Sequence, residues 1–281
     1  MAIGQAEKET YKIEASHMKL EITELQKHIK EILLKQKQNE KLSGYYNLEL
    51  AINYMKIIKL NLRISDLSME MLGIKNDSAQ NDARKNFFVL INAFENVVGG
   101  DVDRSLRSND AYLARISQLT PAQILHIIKQ LHLVFKELKE KVGGEGGVDA
   151  NGKVLSGGSK WYWSFVELQA RVAVVTKNIT NFSDVARLRD PRTPYFKERK
   201  ELMALCQTSL EDAAKSYRTR YELAGKARDD LKMTVEILSA LRRINVLFAN
   251  TEEAERNKNV IDALKQILAA EEPNKGKSKK K

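Results

Sequence analysis

Residues 11–32 read YKIEASHMKLEITELQKHIKEI, and their apolar members decide the fold class. Tyr11, Ala15, Met18, Ile22, Leu25, Ile29 and Ile32 recur at steps of three and four. An α-helix returns to one face at those steps, so the run is a single apolar stripe. Leu48, Ala51, Met55, Ile58, Leu62, Met69 and Leu72 repeat the pattern, skipping only Ser65. The spacing predicts a helix over residues 5–38 and a second one capped by Ser43 and stopped at Gly73. With Ile22 and Ile29 at heptad a positions, Met18, Leu25 and Ile32 fall at d, as parallel two-stranded coiled coils prefer. The short break at residues 39–44 favours a hairpin instead, with the first helix folded back on the second.

The same geometry continues outward. A helix over residues 78–98 turns Ala83, Phe87, Leu90, Phe94 and Val97 inward and closes at Gly99-Gly100. A short helical segment follows near Asp110 to Ser117. Thr120-Pro121-Ala122-Gln123 combines an N-cap, proline at the first helical position and glutamine at the capping-box position. The helix it opens runs to Val142 on Ile124, Ile127, Ile128, Leu131, Phe135 and Leu138. Residues 143–159, GGEGGVDANGKVLSGGS, hold seven of the chain's 14 glycines and read as a linker or exposed loop. A small hairpin at Asn151-Gly152 would be marginal on its own.

A further helix opens at Ser159 and keeps its spacing through Trp161, Phe165, Leu168, Val172, Val175, Ile179 and Phe182. Ser183 to Pro194 reads as a loop. Leu202, Leu205, Leu210, Ala213 and Tyr217 precede Gly225, and Leu231, Val235, Leu238, Leu241 and Ile244 follow it. Gly225 either breaks this long helix or is tolerated at about 1 kcal/mol. Asn250 or Thr251 caps a last helix bearing Ala254, Ile261, Leu264 and Leu268. The expected architecture is all-α: a long-helix bundle with a coiled-coil-like N-terminal hairpin and a second helical half after the Gly-rich linker. Its parts are a hairpin over 1–74, a segment packing on it over 75–142, the linker, a bundle over 160–272 and a basic tail over 273–281.

At 281 residues, 43% hydrophobic and 30% charged, the composition is that of a folded helical protein, not a disordered one. The net charge of +10 raises a nucleic-acid or anionic-surface reading. Half of that excess lies in the last nine residues, PNKGKSKKK, whose Lys275, Lys277, Lys279, Lys280 and Lys281 make a tail that is more simply solubilising. Cys206 is the only cysteine, which excludes an internal disulfide and suits a reducing compartment. No secretory h-region, myristoylation signal or membrane-length apolar run is present in the sequence, so a cytoplasmic protein without membrane insertion is expected.

Chemistry is sparse. A di-iron bundle site needs two Glu-x-x-His pairs, and only Glu14 to His17 exists. His17 and His28 stand about 16 Å apart along a helix and cannot share an ion. Gly276-Lys277-Ser278 lacks the earlier glycine of a phosphate loop, since position 271 is Glu271. Cys206, among leucines, reads as a buried thiol. The Asn178 and Asn181 sequons are idle without secretion. Catalytic, cofactor and metal residues are therefore expected to be absent.

Two aromatic clusters are the candidates for partner binding: Trp161 and Trp163, and Tyr217 and Tyr221. Arg187, Arg189, Arg192, Arg218 and Arg220, with the lysine tail, are the candidate anion-binding residues, because arginine beside aromatics can stack on bases. The simpler reading of the tyrosines and arginines is packing in a bundle seam with salt bridges. The expected function is a non-enzymatic scaffold or adaptor acting through helical faces by self-association or a protein partner. A nucleic-acid- or anionic-surface-associated protein is the alternative.

Overall fold

The computed structural model describes residues 4–106, 110–143 and 161–270. Helix α1 spans Gln5–Gln38, α2 Ser43–Leu72 and α3 Asp77–Val98, followed by the short α4, Asp110–Leu113. Next come α5 (Pro121–Leu138), α6 (Ser164–Ile179) and α7 (Phe182–Arg187). The chain ends in α8 (Phe196–Leu223), α9 (Arg228–Leu247) and α10 (Thr251–Ala270). The described residues are all-α and contain no strand.

Caps and stops follow local sequence. Gly73 takes a left-handed φ of 61° and returns its N–H to Met69 O, ending α2. Thr120 and Gln123 form a reciprocal capping box ahead of Pro121. Gly225, at φ 97°, separates α8 from α9, so the long C-terminal pattern is two helices and not one bent rod. Ser43 does not cap: a 3-10 turn at Glu40–Leu42 carries the chain directly into α2, whose preceding residue Leu42 makes no side-chain cap bond. The segment expected as loop after Ser183 begins with α7, capped by Asn181 accepting from the Asp184 N–H. The α-helix at Pro121 ends at Leu138 and widens into a π-turn over Lys139–Gly143. The helix expected from Ser159 starts at Ser164; Ser159 itself, Asn151-Gly152 and all of the expected linker but Gly143 lie outside the described residues.

The first hairpin is closed. Ala15, Ile29 and Ile32 of α1 are buried against α2, with Met18, Ile22 and Leu25 packed beside them. His28 Nε2 meets Glu49 Oε1 at 3.1 Å across the same contact. The stripe that could have paired two chains is sealed within one.

Helix α2 is buried well beyond one stripe, because α1 and α3 both pack on it. Leu50, Ile57, Ile64 and Leu67 are buried in addition to the expected positions, whereas Met69 turns out to be exposed near the helix end. Its buried Asn47, Asn53 and Asn61 donate to the carbonyls of Ser43, Glu49 and Ile57 at 2.8–3.0 Å, one turn back. Each amide thereby satisfies donors that burial would otherwise strand. Gly44 is required for close approach: a Cβ there would lie 2.9 Å from Arg115 O.

Helix α6 joins the two halves. Phe165, Leu168, Val172, Val175 and Ile179 enter a core with α2, α3 and α5. Val166, Ala170, Ala173 and Val174 enter a second core with α8 and α9. Arg171 forks onto Glu95 at 2.6 and 2.7 Å, tying α6 to α3 at the rim. Phe135 stands between Phe87 and Phe165, with ring centroids 5.6 and 6.2 Å away. Phe87→Ala is expected to cost about 3–5 kcal/mol, the range for removing a fully buried aromatic. Urea unfolding should show that loss, and a change below about 1 kcal/mol would contradict this core assignment.

Candidate functional site

The outer face of α1 is the most distinctive unpartnered surface. Ile13, Leu20 and Leu34 expose 59%, 63% and 59% of their area. They occupy a single seven-residue register, with Lys27 in the remaining position. Such a repeat keeps one face of a helix toward a partner helix. The register lies off the Ala15–Ile29–Ile32 stripe, so α1 carries two apolar seams and the hairpin covers one.

The residues expected to bind partners are distributed differently. Trp161 is half-buried, with the Arg84 guanidinium 3.6 Å over its ring. Trp163 packs on the second core, edge-on to Tyr162, and its carbonyl accepts from Arg220 Nη1 at 3.2 Å. Tyr217 is buried in the second core, and Tyr221 in a cluster with Leu231 and Leu264. Their rings fill helix seams, the simpler of the two readings that the sequence offers, with α9 packed along α8.

Four of the five candidate arginines have carboxylate partners. Arg187 pairs with Asp184, Arg192 with Asp190, Arg218 with Glu222 and Arg220 with Asp230. Arg189 instead lies 5.7 Å from the Phe248 ring centre. Lys275, Lys277, Lys279, Lys280 and Lys281 lie outside the described residues.

A buried polar run escaped the sequence reading. Thr176, Lys177, Asn178 and Thr180 are all buried at the end of α6. Lys177 Nζ donates to Asn178 Oδ1 at 2.9 Å and to Arg104 O at 3.3 Å. Asn178 Nδ2 donates to Gly99 O and Asp101 O, fastening the segment after α3 onto α6. Burial, assisted by nearby Arg243 and Arg104, pushes the Lys177 ammonium down to about 8. The same burial pushes the Cys206 thiol up to about 12, so it stays protonated and unreactive. These groups serve as a structural clip. The only sequence trace was a T-K-N-I-T stretch inside an otherwise apolar helix, which hydrophobic spacing places without saying how its polar members are satisfied.

His132 extends the run toward α5. Thr176 Oγ1 donates to Val172 O at 2.8 Å, so at its 2.8 Å contact with His132 Nε2 it accepts. The imidazole therefore carries its proton on Nε2. Burial pushes its pKa down to about 4 from 6.5. Between those values the unfolded chain binds a proton that the folded chain refuses, so stability falls as pH drops from 6.5 through 4. Replacing His132 with Gln is expected to remove up to about 3 kcal/mol of that acid sensitivity. Parallel pH–stability curves for the two proteins would refute this.

Among the described residues no group of three His, Cys, Asp or Glu is placed to hold a metal ion, and no helix is long and apolar enough to cross a membrane. No curated protein and no solved structure matches the chain. The TP0443 family model matches residues 7–272, which takes in both helical halves and the segment between them. The chain belongs to the TP0443 family.

Proposed function

We propose that this protein is a non-enzymatic scaffold that works through helix–helix contacts, with the outer seam of α1 as its docking face. The observation that carries the reading is the seven-residue register of exposed Ile13, Leu20 and Leu34 on a 34-residue helix. Single exposed apolar residues are ordinary on protein surfaces, but a register along a helix about 50 Å long is the pattern a partner helix covers. The register is also symmetric about the Thr23–Glu24 peptide. An antiparallel second copy would set Ile13 against Leu34, and Leu20 along the methylenes of Lys27. Self-association through α1 is therefore the form of the proposal. A reducing, cytoplasmic setting belongs to it, supported by the single buried thiol.

The alternative, association with nucleic acid or an anionic surface, is supported by the net charge of +10 and its concentration in the final lysines. Counterion release would make that binding steeply salt-dependent. The α1 seam makes no such demand on charge, and it is the stronger support.

Light scattering on the full chain distinguishes the readings. The native protein is expected above its 32.0 kDa chain mass. Leu20→Glu is expected to weaken association by about tenfold or more, equivalent to about 1.4 kcal/mol. Because Leu20 is exposed, its helicity and unfolding midpoint should stay close to those of the native chain. A native monomer at all accessible concentrations, or an oligomer indifferent to both Leu20→Glu and Ile13→Glu, overturns the proposal.

A further inference from the structure

Arg199, in the first turn of α8, is the most anomalous charge among the described residues. It is only 8% exposed, yet no carboxylate lies within ion-pair distance. Its Nε has no hydrogen-bond partner, and its Nη2 reaches Thr193 Oγ1 only at 3.4 Å. The more exposed guanidiniums of Arg171 and Arg220 are, by contrast, paired with Glu95 and Asp230. A buried cation without a counter-ion is destabilising, and the N-terminal turn of a long helix adds an unfavourable dipole. Folding alone gives no reason to keep arginine at this position.

The surroundings supply one. Arg199 lines a cavity of about 410 Å³ between α7, α8 and the turn from α9 to α10. Phe196, Met203 and Phe248 contribute apolar wall, and Arg189 and Lys200 contribute two further cations. No carboxylate lines this cavity. Neither Arg189 nor Lys200 has an acidic partner among the described residues, and the Phe248 ring beneath the Arg189 guanidinium orients it. Arg199 also borders a neighbouring cavity of about 490 Å³, but Asp184 lines that one and opposes a second negative charge.

We propose that the Arg189–Arg199–Lys200 cavity binds a small organic anion with a carboxylate or phosphate head and an apolar body. The volume falls within the range of small-molecule sites, which are mostly apolar with a few convergent polar groups. The head neutralises Arg199, with Arg189 and Lys200 as secondary cations. The body lies along Phe196, Met203 and Phe248. The site is independent of the α1 seam and requires no reaction: it makes the scaffold responsive to a ligand.

Isothermal titration calorimetry on the full chain tests the site with four probes: octanoate, octyl phosphate, inorganic phosphate and octanol. Octanoate or octyl phosphate is expected to bind, and the tighter of the two identifies the head group. Octanol and inorganic phosphate are each expected to bind at least tenfold more weakly, because each lacks half of the recognised chemistry. Arg199→Leu should weaken binding at least tenfold. Ala204→Phe, a change at an exposed cavity-lining position, should block it without removing a charge. Arg192→Gln should leave it unchanged, since Arg192 is exposed, paired with Asp190 and absent from the cavity wall. Octanol binding as tightly as octanoate removes the anion requirement, and inorganic phosphate matching octyl phosphate removes the apolar one. Either outcome overturns the proposal, as do failure of both amphiphiles to bind and binding that survives Arg199→Leu and Ala204→Phe.

Discussion

From Val172 to Thr180 the chain has no solvent-facing side, and the rest of the bundle is arranged around that constraint. The apolar members of α6 divide between two cores: one face serves α2, α3 and α5, the other α8 and α9. A helix buried all round must satisfy each polar group internally, since water is absent. Thr176 and Thr180 do so by bonding to carbonyls one turn back. Lys177 and Asn178 do so by capturing carbonyls of the segment that follows α3. The same bonds therefore fix the path of that segment over the helix.

This arrangement explains why reactive groups are quiet. Cys206 and Lys177 share one buried region, and a thiol beside an ammonium could be an activated nucleophile. Burial outweighs the pair attraction here: the thiol is held protonated and the ammonium is weakened. Both groups are packing elements. Arg199 is the counterexample, since no carboxylate compensates its burial, its Nε is unpartnered and it borders a cavity.

Much of the fold was legible because helical periodicity is a local property. The stripe of α1, the stop at Gly73 and the capping box at Thr120 each depend on residues within a turn or two. Local spacing falls short where burial depends on distant elements. Met69 fits the α2 stripe, yet it lies near the helix end and remains exposed. Tyr217 and Tyr221 share a helical face with arginines beside them, as a stacking site would. Only α9 and α10, packed against that face, turn them into core. The candidate cavity was less legible still: Arg189 was visible as a basic residue, but Arg199 and Lys200 resembled any solvated helical charge.

The sequence by itself determined that this chain is all-α, where most of its helices begin and end, and which stripe of each is apolar. Those features follow from backbone geometry and side-chain transfer, which act over a few residues. Tertiary structure alone decided that the first stripe of α1 is sealed against α2 while a second seven-residue seam is left open. It alone decided that Lys177 is buried with partners and Arg199 without a counter-ion. Charge compensation depends on distances between residues far apart in the chain, and no local spacing encodes those distances.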